Sequence, residues 1–236
     1  MHRQKIQLFL ALGLLVAGLR LAYILYQRHQ EAHAKLALPT AAKLNTVPDD
    51  YAYLPSSGVY DAHSARNLIG KTVWVRLGYS SSAYRVAGGR VLPASQAQAL
   101  PLPPLTELRL RGVLRQNWQG ARGIFYTFDY QGALRAVEIG IENPDGSATM
   151  QVDNLFFMAD PHQIYNFWPA RIWNLIAHHQ VAIGMTQAQT MLALGGAQTV
   201  SLGVTHQTFL FPGQHPPMEV TFAHRHVISF HAVQGK

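Results

Sequence analysis

The chain contains no cysteine, which excludes disulfides, thiolate metal sites, a cysteine nucleophile and lipid attachment through an N-terminal Cys. Charge is scarce as well. Asp, Glu, Lys and Arg make up 13% of the 236 residues, about half the usual fraction. The surface must therefore draw its polarity from Gln, Asn, Ser, Thr and His, and 12 histidines stand out in that role. Signatures of nucleophilic catalysis are missing: there is no Gly-x-Ser-x-Gly elbow and no Ser–His–Asp spacing that stands out. Carboxylates stand side by side at Asp49-Asp50, in a linker-like stretch, and Gly88-Gly89 lacks the strand-to-helix setting of a phosphate loop. The net charge of +7 is partly N-terminal, where Arg3, Lys5, Arg20 and Arg28 face Glu31 alone. The remaining excess is mild and scattered, with no reading motif, which argues against a nucleic-acid partner. What the chain does hold is apolar material for a packed core, at 48% hydrophobic residues.

One long hydrophobic run stands near the N-terminus. Ile6–Tyr26 is apolar except for Gln7 and Arg20, and a helix needs about 20 such residues to cross a hydrocarbon layer of about 30 Å. Arg20 lies close enough to the end of the run to snorkel, and Tyr23 and Tyr26 suit the interfacial belt. His2, Arg3 and Lys5 ahead of the run place the N-terminus inside and the rest across the membrane. The expectation is a single-pass protein of the inner (cytoplasmic) membrane with its C-terminal part in the periplasm. A cleaved signal peptide is the alternative, with Gln7–Leu19 as its apolar region.

The rest divides by pattern into an anchor at 1–34, a linker at 35–60, a β-rich module at 61–158 and an α+β module at 159–236. The linker carries Pro39, Pro48 and Pro55 and reads either as a spacer or as an extended arm packed on the next module. In the β-rich module, Lys71–Leu77 alternates, with Val73, Val75 and Leu77 on one face and Thr72, Trp74 and Arg76 on the other. Glu107–Leu114 alternates likewise, and Gln131-Gly132 is a hairpin turn between Ile124–Tyr130 and Leu134–Ile141. Ser80–Pro104 is untidy. About five short strands imply a small SH3-like or OB-like barrel or sandwich. From Asp160-Pro161 the character turns helical, since Asp suits an N-cap and Pro the first helical position. Thr186 and Gln189 form a capping box that opens a helix over 187–194, ended by Gly195-Gly196. Strands at Thr199–Leu202, Gln207–Phe211, Met218–Phe222 and Val227–Val233 then complete a two-layer unit of helices on an antiparallel sheet.

The stretch VAIGMTQAQTMLALGGAQTV, followed by QTFLF and MEVTFAHRHVISF, resembles the SmpA/OmlA family of BamE-like envelope proteins. The matching residues are Gly184, Met185, Thr186, Gln189, Leu194, Gly195, Phe209, Phe211, Val220, Phe222 and Val227. They span roughly residues 180–233, a quarter of the chain. Two departures stand out: Ala197 replaces the Pro that usually follows Leu-Gly, and the lipoprotein Cys is absent. The resemblance implies a BamE-like α+β fold outside the cytoplasm, without carrying over the assembly-factor role.

The candidate partner-binding residues are Trp118, Tyr126, Phe128 and Tyr130, an aromatic set in the β-rich module, and His224 and His226 at the last hairpin. The expected function is non-catalytic: a bacterial envelope protein, held at the membrane by its N-terminal helix, that binds or scaffolds envelope proteins, with no cofactor. Two alternatives remain open. One is a metal-dependent hydrolase using His224, His226 and His231 with His178 and His179; the other is a module that binds cell-wall glycan.

Overall fold

The computed structural model describes residues 52–233. Alternating apolar residues and tight turns organise them into two antiparallel sheets. Strands β1 (Thr72–Val75), β2 (Ser82–Ala87), β3 (Arg90–Val91), β4 (Leu100–Pro101), β5 (Glu107–Trp118), β6 (Ala121–Tyr130), β7 (Ala133–Glu142), β8 (Ala148–Met150) and β9 (Phe156–Phe157) build the first. Its order is β3-β2-β7-β6-β5-β1-β9, with β4 beside β2 and β8 beside β7. The second sheet is a meander of β10 (Gln198–Leu202), β11 (His206–Phe211), β12 (Met218–Ala223) and β13 (His226–Ala232). Among the described residues the helices are short: α1 (Val152–Leu155), α2 (Pro161–Ile164), α3 (Ala170–Ala177) and α4 (Gln187–Leu194), with a 3-10 turn at Ser64–Leu68.

Turn chemistry sets the hairpins. Gly88-Gly89, Gln119-Gly120, Gln131-Gly132 and His224-Arg225 each carry two successive residues at positive φ. That is the mirror-image turn whose twist matches paired strands. Glycine relieves the second position in three of them; the His224-Arg225 turn holds two side chains in the left-handed region.

The first core forms on one face of β1, β5, β6 and β7. Val73, Val75, Leu108, Leu110, Ile124, Tyr126, Phe128, Val137 and Ile139 are all buried there. A β-bulge between Leu110 and Gly112 reverses the phase of β5. Leu108 and Leu110 therefore face this core, whereas Leu114 and Trp118 face the opposite side, where they meet Phe125, Val91 and Tyr84. β6 is thus buried on both faces through its middle. The Tyr126 hydroxyl donates to the Ala65 carbonyl at 3.0 Å, which ties the 3-10 turn to the centre of the sheet and satisfies two buried polar groups at once.

The second core lies against the small sheet. Phe211, Val220, Phe222 and Val227 point inward and meet Ile176 of α3 and Leu192 and Leu194 of α4. Phe157, Tyr165 and Trp168 complete it, with Tyr165 and Trp168 stacked at 4.2 Å. The Asp160 side chain caps α2 by accepting from the His162 amide at 2.9 Å. Thr186 and Gln189 form the reciprocal capping box of α4. Gly195 and Gly196 let the end of α4 approach the first sheet closely: a Cβ on Gly195 would collide with the Gly78 carbonyl, to which the Gly196 amide donates at 2.7 Å.

These features correct the expected architecture. The described residues are mostly β, built on sheets of nine and four strands, and do not end in a helix-on-sheet BamE-like α+β module. The physical reason is the length and company of the helices. Pro169 separates α2 from α3, and Gly195 stops α4 after two turns. The cover over the small sheet is shared with Trp74, Phe157, Tyr165 and Trp168, so no helical layer forms. The first module is also larger than a five-stranded SH3-like or OB-like barrel. The single-pass inner-membrane placement, with its periplasmic C-terminal part, is likewise not carried forward. No helix among the described residues is long and apolar enough to cross a membrane. The segment expected to do so, Ile6–Tyr26, lies outside the described residues, as do the anchor at 1–34 and most of the linker. The last of that linker is packed: Val59 is buried in the first core, and the Ser57 amide donates to Asp153 at 2.7 Å.

Tyr126→Phe removes the hydroxyl and leaves the buried Ala65 carbonyl unpaired. Chemical denaturation is expected to register a loss of about 1–2 kcal/mol with an unchanged slope; an unchanged midpoint would mean that the bond contributes nothing.

Candidate functional site

The two sheets treat their edges differently. β3 and β9, at the ends of the large sheet, are two residues long. β3 is further closed by Gln116, whose side-chain amide accepts from the Val91 amide and donates to the Val91 carbonyl, both at 2.9 Å. That amide takes the place of another strand. In the small sheet, the first half of β13 is covered from outside by the chain entering α4. The Gly184 amide donates to Val227 at 2.9 Å, Val227 returns a bond to Met185 at 2.8 Å, and the Gln187 amide donates to Arg225 at 3.0 Å.

β10 has no such cover. It pairs with β11 alone, and all five of its residues are exposed. Val200 is 54% and Leu202 69% exposed, and Val204 in the following turn is fully so. No charged residue and no proline occurs from Gln198 to Thr205. The strand begins one residue after the Gly195-Gly196 contact with Gly78 and carries a bulge between Thr199 and Ser201. Its inner neighbours fix it: Thr199 pairs with Phe209, and Phe209 with Val220 in the sheet. The outer face of the sheet is hydroxylic. Ser201, Thr208, Thr221 and Ser229 align across all four strands, with Thr208 and Thr221 bonded at 3.2 Å. This face is polar along that row, whereas the β10 edge offers unpaired backbone flanked by apolar side chains.

A second feature is a polar cleft of about 300 Å³ where Ser80, Ser81 and Ser82 face Glu138, Thr149 and Gln151. No imidazole lines it, so its serines lack the usual base of a nucleophile. The Glu138 carboxyl has no hydrogen-bond or ion-pair partner among the described residues. Burial pushes it above the usual carboxylate range.

The aromatic residues named from the sequence are placed in packing roles. Tyr126 and Phe128 are fully buried in the first core, and Tyr130 is half-buried against it. Trp118 is only 7% exposed and belongs to the cluster on the opposite face of β6. His224 is an exposed turn residue, and the ring of His226 bonds back to the His224 carbonyl at 2.9 Å. His231 sits beside Glu219 on the neighbouring strand at 4.0 Å. His178 closes α3 by bonding the Asn174 carbonyl at 2.8 Å, and His179 bonds the Ala193 carbonyl at 3.0 Å. Among the described residues no group of three or more His, Cys, Asp or Glu side chains is placed to hold a metal ion. The β10 edge was missed as a site because exposure of an edge strand depends on what flanks it in space. Its signal in the sequence is the uncharged QTVSLGVT run. Compared with known protein families, curated proteins and solved structures, the chain matches none.

For Glu138 the sign is clear. A carboxyl whose folded value is raised holds its proton more tightly when folded, so stability falls as pH rises from about 4.5 upward through the folded value. Glu138→Gln is expected to raise the thermal midpoint at pH 7, with the gain shrinking as pH is lowered through that window. A gain that is the same at every pH would contradict the assignment.

Proposed function

We propose that this protein is a non-catalytic protein-binding module that takes up an extended segment of a partner as an added strand along β10. The observation that supports this most strongly is the contrast between edges. The large sheet ends in two-residue strands, one sealed by Gln116, while β10 is five residues long, uncharged and open. Soluble proteins normally blunt such an edge with Lys, Pro, a bulge or a covering segment, because it templates pairing; of these β10 has only the bulge between Thr199 and Ser201. Leaving it bare is expected where pairing is the function. In β-augmentation, main-chain hydrogen bonds give affinity and alternate side chains give specificity. Here Val200 and Leu202 select a partner segment with apolar residues at alternating positions, and the missing charges leave nothing to attract a highly charged strand.

The test is a photo-activatable residue at position 204, fully exposed at the end of the edge, with capture compared between the parent sequence and Val200→Lys/Leu202→Lys. Both side chains are exposed, so the double variant keeps the fold. Capture of a partner peptide is expected to fall at least about tenfold. Equal capture by the variant, or cross-links solely between copies of this chain, would contradict the proposal.

A further inference from the structure

A cavity of about 450 Å³ lies on the face of the large sheet opposite the first core, bracketed by the Gly88-Gly89 and Gln119-Gly120 turns. Its size falls within the range of small-molecule sites. The frame is rigid. Gln116 clamps β3 to β5 through two hydrogen bonds, and Trp118 in the wall is held edge-on between Tyr84 at 4.9 Å and Phe125 at 5.3 Å.

The lining is one-sided in its chemistry. Val91, Leu92 and Pro93 supply apolar walls. Arg90 is exposed at the cavity and makes no ion pair or hydrogen bond among the described residues. The side-chain amides of Asn117 and Gln119 are also uncommitted. No carboxylate lines the site. The indole N–H of Trp118 is sealed within the wall and has no acceptor among the described residues, so its resonance reports on the wall rather than on a bond to a ligand. Uncommitted donors and one positive charge, set against apolar walls, match an anionic acceptor on an apolar body. A single guanidinium forks onto one carboxylate, whereas a phosphate monoester brings closer to two charges and would be left partly unneutralised.

We infer that this cavity is a binding site for a small amphipathic monocarboxylate, held by Arg90 at the head and by the Trp118 wall along the body. The site is separate from the β10 edge and does not depend on it. The experiment titrates the full chain with 4-phenylbutyrate and, in parallel, with the uncharged 4-phenylbutanol. The indole N–H resonance of Trp118 is followed, after assignment by Trp118→Phe. The acid is expected to shift that resonance saturably and to bind at least about tenfold more tightly than the alcohol. Arg90→Gln, at an exposed position that leaves the fold intact, is expected to abolish that preference without changing the weak binding of the alcohol. Absence of a saturable shift, equal affinity for acid and alcohol, or an unchanged acid affinity in Arg90→Gln would each overturn the inference.

Discussion

The architecture depends on one short pairing, between β1 and β9. Side chains alternate along a strand, so a strand at the boundary of two cores must feed both. Val73 and Val75 enter the first core, and Trp74 between them packs against the second. Across the ladder, Val75 pairs with Phe156 of the first core and Trp74 with Phe157 of the second. A one-residue slip would exchange all of these at once, so the register is strongly specified. Arg76 secures it. Its amide donates to the Leu155 carbonyl at 2.8 Å, its guanidinium donates to the Asp153 carbonyl at 2.9 Å, and its charge lies 5.7 Å from the Phe157 ring.

That joint explains where the molecule leaves itself open. The large sheet is covered on both faces over β6, by the first core below and by the Trp118 cluster above. The small sheet is covered on one face only, and its outer face carries a row of hydroxyls. β10 is left as an uncovered edge, at the opposite end of the sheet order from the covered start of β13. β10 is already paired along β11, so its edge is preorganised, and a partner strand then loses only its own freedom on pairing.

Local chemistry was legible in the sequence wherever one or two residues decide the outcome. The Asp160-Pro161 start, the Thr186–Gln189 capping box, the Gly195 stop and the Gln131-Gly132 turn all depend on backbone demands that few residue types meet. The alternation of β1 was equally plain. What could not be read depends on distant neighbours. The bulge at Leu110–Gly112 reverses the phase of β5, so simple alternation misassigns the side on which Leu114 and Trp118 lie. The untidy Ser80–Pro104 stretch hides β2, β3 and β4, because its strands are short and are stabilised by Gln116 and β7 from far along the chain. The helical starts at Asp160-Pro161 and Thr186 fall where expected, while α1 was not anticipated, and the helices do not form the layer that the family resemblance implied, since aromatic residues from β1, β9 and the 160–168 segment take part of that space. For the candidate site, the exposed turn at His224 was visible, but alternation alone could not show that β6 is buried on both faces, which takes in Tyr126 and Phe128.

If the β1–β9 joint governs the structure, the two cores must lose their order together. The direct measurement is equilibrium unfolding of the full chain followed by two probes: the Trp118 indole resonance for the large sheet, and those of Trp168 and Trp173 for the second core. The account predicts transitions that coincide in midpoint and slope. Separate transitions, with one tryptophan environment persisting after the other is lost, would contradict it.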